Sequence, residues 1–142
     1  MALIKTFKSR ALVEGSGRGR ALVLTEPLSL WGGLNPQTGE IIDRRHPQCG
    51  KTVTNCALVM RAGKGSSSAS SILLEAIRAG TAPAAIILAE ADAILALGSA
   101  VAREMYSKRL PVVVLRADDY AHLEDDQMIA VSEDGTVTIS DD

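Results

Sequence analysis

The densest chemical potential in this 142-residue chain lies in Gly63-Lys64-Gly65-Ser66-Ser67-Ser68. These residues sit inside Arg61–Ser71, after the apolar run Cys56–Met60 and before Ile72, Leu73, Ala76 and Ile77 at helical spacing. A loop between a strand and a helix gathers free backbone N–H groups and the positive end of the helix dipole, which suits it to a carboxylate or a phosphate. Gly63 and Gly65 permit close approach, Lys64 adds a charge, and the three serines offer hydroxyls. The segment is not a Walker A loop, because Lys64 is followed by Gly65 and the position that loop requires to be glycine is Leu58. It is not a nucleophile elbow either, since the Gly-x-Ser-x-Gly spacing is absent and two histidines give little basis for a triad. The same residues also read as a flexible connector with a serine at the helix N-cap.

Other candidates are weaker. Asp43-Arg44-Arg45-His46-Pro47 concentrates two positive charges and an imidazole, suited to steering an anionic substrate, or equally to a solvated charge run fixed by Pro47. Glu90 and Asp92 flank the end of an apolar strand, where α/β sheets place ligand crevices, but Asp92 reads first as an N-cap. Gly15-Ser-Gly-Arg-Gly19 lacks dinucleotide-binding spacing and precedes a strand, so it reads as a hairpin turn. Cys49 and Cys56 match no common zinc spacing and supply half the thiolates of an iron–sulfur cluster, so they read as reduced thiols without a role.

The elements that must position these residues follow from periodicity. Ile4–Val13 and Arg20–Thr25 are predicted as two antiparallel strands joined by the glycine turn. Glu26–Lys51 is dense in turn formers and is predicted as loop, interrupted by a short strand at Glu40–Asp43. Its apolar residues Leu28, Leu30, Trp31, Ile41 and Ile42 favour a functional loop over a disordered one. Beyond Cys56–Met60 and its helix come a strand at Pro83–Leu88, a helix at Asp92–Tyr106 with Ile94, Leu95, Leu97, Val101 and Ala102 inward, and a strand at Pro111–Leu115. Wholly apolar strands alternating with helices imply a parallel sheet covered on both faces. Ala117–Leu123 reads as a helical turn, and Met128–Val131 with Thr136–Ile139 as a closing hairpin on the sheet edge. The fold class is therefore α/β, one domain over residues 1–142, with a strand–helix core and flanking β-hairpins.

Composition bounds the function. Residues 1–116 carry 15 basic and 8 acidic side chains, whereas residues 117–142 carry none and 9, so a mildly basic body ends in an acidic tail. Four aromatic residues, Phe7, Trp31, Tyr106 and Tyr120, are too few for stacking on nucleic acid. No apolar run approaches the roughly 20 residues of a membrane span. The N-terminal sequence lacks the apolar stretch of a secretory signal, so a cytoplasmic address is expected.

Glu26-Pro-Leu-Ser-Leu-Trp-Gly-Gly-Leu-Asn-Pro-Gln-Thr-Gly-Glu-Ile-Ile-Asp43, then Gly63-Lys-Gly-Ser-Ser-Ser68, then Ala82-Pro-Ala-Ala-Ile-Ile-Leu88 resemble, in this order, the small subunit of the aconitase X family. The similarity spans roughly residues 15–115 and leaves the acidic hairpin of residues 117–142 largely outside it. The resemblance implies an aconitase-like swivelling β/β/α domain paired with a large catalytic subunit that holds an iron–sulfur cluster, together a hydro-lyase acting on a small carboxylate. It implies that Ser66 is the proton acceptor, with Lys64, Gly65, Ser67 and Ser68 around the substrate. Ser68 stands where the wider superfamily has a substrate-binding arginine, so Lys64 or the Arg44 and Arg45 pair is expected to take that role, with His46 beside them among the substrate-binding residues. Family substrates are mevalonate 5-phosphate and cis-3-hydroxy-L-proline. The extended second helix and closing hairpin resemble the bacterial members that use the latter.

Overall fold

The computed structural model describes residues 4–64 and 67–140. Eight strands, β1 (Lys5–Lys8), β2 (Arg10–Val13), β3 (Gly17–Val23), β4 (Ala57–Met60), β5 (Ala85–Leu88), β6 (Val112–Val114), β7 (Met128–Val131) and β8 (Thr136–Ser140), form one sheet in the order β1-β8-β7-β3-β4-β5-β6-β2. Helices α2 (Ala69–Ala79) and α3 (Ala93–Tyr106) connect the parallel strands β4, β5 and β6. α1 (Leu30–Gly33) and α4 (Ala117–Tyr120) are single turns.

β1 and β2 lie at opposite margins of this sheet yet are one chain segment, separated only by Ser9. The sheet must therefore curl until its margins meet. Ser9 fixes the junction, its backbone N–H and its hydroxyl both donating to Gly135 O at 3.0 and 2.7 Å. Within β3, Gly17–Arg20 pairs antiparallel with β7, and Ala21–Val23 pairs parallel with β4, so one strand serves both halves.

Side-chain alternation divides the core into two layers. Leu22, Leu58, Met60, Ile86, Leu88 and Val112 face the helices and pack on Leu73, Ile77 and Leu95. Ala21, Ala57, Val59, Ile87 and Val113 face inward and meet Ile129, Val131, Val137 and Ile139 from the antiparallel half. The parallel strands are thus covered on both faces, by helices on one and by the rest of the curled sheet on the other. The helices approach closely at Gly98, where an added Cβ would stand 2.7 Å from Ser70 O.

Five expectations are corrected. The N-terminal strands do not pair with each other: β2 pairs with β6, and β3 with β4 and β7. Gly17 and Gly19 are strand residues at close backbone crossings, where a Cβ would stand 2.0 Å from Ala84 O and 2.3 Å from Asn55 O respectively. The closing hairpin β7–β8 is interior to the sheet, between β1 and β3, and no edge hairpin. Glu40–Asp43 contributes only isolated bridges, Leu34 to Ile41 and Glu40 to Thr52. Leu97 is exposed, because α3 packs through Leu95, Gly98, Ser99 and Ala102. No helix among the described residues is long and apolar enough to cross a membrane.

Candidate functional site

The serine loop leaves the carboxyl end of β4, beside the ends of β5 and β6, where a parallel sheet exposes strand termini to ligands. Its entry is fixed by Arg61, whose carbonyl oxygen accepts from the N–H groups of Ala89 and Glu90, each at 3.0 Å. The Arg61 side chain follows, donating from Nε to Glu90 Oε2 at 3.1 Å across the surface. Gly63 then bridges to Leu28 of the long loop, and Lys64 N–H approaches Leu28 O at 3.4 Å. The exit is held by the first turn of α2, where the hydroxyls of Ser70 and Ser71 donate to the carbonyls of Ser67 and Ser68 at 2.9 and 2.8 Å.

Asp92 joins this loop to α3. Its Oδ1 accepts from the N–H groups of Ile94 (2.9 Å) and Leu95 (3.1 Å), the N-cap anticipated from the sequence. Its Oδ2 occupies the space a side chain at Gly63 would need, 2.1 Å from an added Cβ. Glycine at 63 is therefore a condition of seating the loop on the helix cap. Around this junction Leu28, Leu30, Gly63, Lys64, Asp92 and Ile94 line a shallow dent of about 10 Å³, room for a single water. The apolar walls and the second role of Asp92 escaped the sequence reading, because they depend on the long loop folding back to Gly63 at long range.

The expected site residues separate into groups. Lys64 and Ser67 are exposed at the loop, and Ser68 precedes α2. Gly65 and Ser66 lie outside the described residues. Arg44 and Arg45 are exposed on a turn closed by Asp43, whose Oδ1 accepts from Arg45 N–H at 3.0 Å. That turn neighbours the α1 turn, since Ile42 N–H donates to Gly33 O at 2.8 Å, and it leaves Trp31 and Ile42 exposed. His46 is 6% exposed, and both ring nitrogens are engaged inside the protein. Gln48 N–H donates to Nδ1 at 3.0 Å, which requires the proton on Nε2, and Nε2–H donates to Glu26 O at 2.9 Å. In this arrangement the imidazole braces the loop and has no nitrogen left for a substrate.

The cysteines do not fit an iron–sulfur cluster. Cys49 is exposed and Cys56 half-buried, and no group of three His, Cys, Asp or Glu side chains among the described residues converges on a metal-sized site. Burial, reinforced by the carboxylates of Asp125 and Asp126, pushes the Cys56 thiol above its ordinary value, which opposes the thiolate a metal needs.

Comparisons with known proteins bear on the whole chain. The model of the aconitase X swivel domain family matches residues 6–139. The chain is 46% identical over 114 residues to cis-3-hydroxy-L-proline dehydratase of Pseudomonas aeruginosa, covering 79% of this chain and 20% of that protein. It is 39% identical over 119 residues to the phosphomevalonate dehydratase small subunit of Methanothermobacter thermautotrophicus, covering 84% of this chain and 86% of that one. The chain thus spans about a fifth of the length of the hydroxyproline dehydratases and most of the small subunit. The crystal structure of Thermococcus kodakaraensis aconitase X (holo-form) superimposes with a TM-score of 0.84 at 31% identity, covering 95% of this chain and 98% of that one. The family model covers nearly the whole chain and the fold superimposes on aconitase X, and the chain belongs to the aconitase X swivel domain family.

Proposed function

We propose that this chain is the small, swivelling part of an aconitase X-type hydro-lyase that converts cis-3-hydroxy-L-proline to Δ1-pyrroline-2-carboxylate, working with a large subunit. The observation that carries the reading is the position of the two described flanks of the serine loop, residues 61–64 and 67–68, between the carboxyl end of β4 and the N-terminus of α2. The identity to hydroxyproline dehydratase supports the substrate. A cytoplasmic setting belongs to the same reading.

In this proposal Ser66 takes the proton on the carbon next to the substrate carboxylate. A serine hydroxyl is a poor base at neutral pH, so its alkoxide must be held by nearby N–H dipoles and a cation, for which Lys64 is the neighbour. The C–H pair becomes a carbon–carbon double bond as the β-hydroxyl departs as water, and the enamine tautomerises to the imine product. Lys64, Gly65, Ser67 and Ser68 bind the carboxylate, while Arg44 and Arg45 steer it toward the loop. The acid that receives the departing hydroxyl belongs to the large subunit, as does the iron–sulfur cluster, for which the described residues of this chain offer no fitting ligand set.

Ser66→Ala in the reconstituted complex tests the assignment. Turnover is expected to fall by orders of magnitude with the complex intact, and near-normal turnover overturns it. A second reading, mevalonate 5-phosphate dehydration, is favoured by the match to an archaeal small subunit over 84% of this chain and 86% of that one. Assaying the same complex on both substrates decides between them. A complex that binds but turns over neither would leave an anion-binding or regulatory module.

A further inference from the structure

We propose that the turn carrying Trp31, with Ile42 beside it, is the face on which the large subunit seats, through a surface that is apolar at its centre and acidic at its edge. The inference rests on the function proposed above and deepens it by assigning the docking face. Trp31 is the only tryptophan of the chain, and it is 59% exposed. Ile42 is 43% exposed, whereas Leu28, Leu30, Leu34 and Ile41 of the same loop are buried. The backbone holds the exposed pair outward. Leu30–Gly33 forms a type II turn, with Trp31 at φ −67°, ψ 114° and Gly32 at φ 77°, ψ −13°. Buried Leu30 and Leu34 pin its two ends, and Leu34 N–H donates to Leu30 O at 3.1 Å. Leu34 also bridges to Ile41, so Ile41 turns into the core and Ile42, next along the chain, turns out. A Cβ on Gly32 would meet nothing within 4 Å, so the tip of the turn stands clear of the body. The indole is thus displayed on a backbone that is already ordered, which lowers the entropy lost when a partner covers it.

The position of the turn names its occupant. A Cβ on Gly33 would stand 2.9 Å from Leu28 Cδ1, and Leu28 bridges to Gly63 at the entry of the serine loop. Trp31 therefore stands on the margin of that loop. In the proposed reaction the group that receives the departing hydroxyl comes from the large subunit and must reach a substrate held at the serine loop, so the large subunit approaches this margin. Tryptophan and arginine are the residue types that concentrate binding energy at interfaces. Arg44 and Arg45, exposed on the turn that follows Ile42, make the edge of the face positive, and carboxylates on the large subunit complement them.

The affinity of the full chain for the large subunit, measured by isothermal titration, tests the face. Trp31→Ala should weaken association at least about thirtyfold, the effect of removing an interface hot spot, and Ile42→Ser should weaken it several-fold. Met105→Ala, at an equally exposed site near the far end of α3, should leave it unchanged. Association should also weaken as salt rises. Hydroxyl-radical footprinting of the unsubstituted proteins gives a reading that no folding defect can produce: Trp31 should be oxidised in the free chain and protected in the complex. Unchanged affinity in Trp31→Ala, equal weakening by Met105→Ala, equal oxidation of Trp31 free and bound, or association indifferent to salt overturns the proposal. So does native affinity with a raised KM in Trp31→Ala, which would move the indole to the substrate. A free chain that self-associates and becomes monomeric in Trp31→Ala overturns it too, by making a second copy the occupant. A wild-type chain that forms no complex with the large subunit would instead sink the underlying functional reading.

Discussion

Gly63→Ala isolates the contact between the serine loop and the cap of α3. The added Cβ would stand 2.1 Å from Asp92 Oδ2, 3.3 Å from its Cγ and 3.4 Å from Leu95 Cδ1. Carbon and oxygen in contact rest roughly 3.3 Å apart, so loop and carboxylate must part by about 1 Å. Gly63 is not in the left-handed region, so alanine costs no backbone strain and stabilises by about 0.4–1 kcal/mol through the unfolded chain. Against this, swinging Asp92 aside loses the N-cap bonds to Ile94 and Leu95, a cost of about 0.5–2 kcal/mol. The two terms nearly cancel, and the thermal midpoint should fall by no more than about 5 °C. Catalysis is less forgiving, because a shift of about 1 Å at a positioning element costs roughly a hundredfold in rate. Circular dichroism melts and kcat/KM of the reconstituted complex are the measurements. In Gly63→Ala with Asp92→Ala the carboxylate is gone and the methyl has room. The pair should then be more stable than Asp92→Ala alone by about the same 0.4–1 kcal/mol that alanine contributes through the unfolded chain. Strict additivity of the two substitutions, or full turnover by Gly63→Ala, would refute the reasoning.

Two further outcomes follow from the surrounding loop and thiols. His46→Ala leaves Glu26 O and Gln48 N–H without their buried partner, so stability should fall by about 1–3 kcal/mol in a denaturant titration. A variant of native stability with a raised KM would return the imidazole to the substrate. With the Cys56 thiol raised in the folded protein, its contribution is fully present below the unfolded thiol value and is lost as pH rises through the folded one. Stability should therefore decline on the alkaline side of 9.0, less steeply in Cys56→Ala, and iodoacetamide should label exposed Cys49 before Cys56. Faster labelling of Cys56 would contradict this.

The parallel core was legible because its signals are local. Ala57–Met60, Ala85–Leu88 and Val112–Val114 are apolar on both faces, and the intervening helices show their periodicity directly. The β7–β8 hairpin was legible for the same reason, its turn marked by Asp134-Gly135. The hairpin expected between β2 and β3 was not there, since clustered glycines look alike whether they turn a chain or let two backbones cross. At Gly17 and Gly19 they do the second, against residues 84 and 55, a distance no local pattern spans. The inward face of α3 was misjudged at Leu97 because the helix is drawn against α2 through Gly98, so its smallest residue sets the contact line. At the site, Lys64, Ser67 and Asp92 could be named from their types and spacing. Their convergence with Leu28 and Leu30 depends on the long loop folding back to Gly63.

The bent ribbon of β1 and β2 has a mechanical consequence. Lys5 pairs with Ile139, so the chain enters and leaves the domain at neighbouring points on adjacent strands. A load applied through both ends would therefore act on one pair of hydrogen-bonded strands, β1 and β8. Relatives of the domain carry the same architecture in two settings, within a chain about four times as long and as a small subunit.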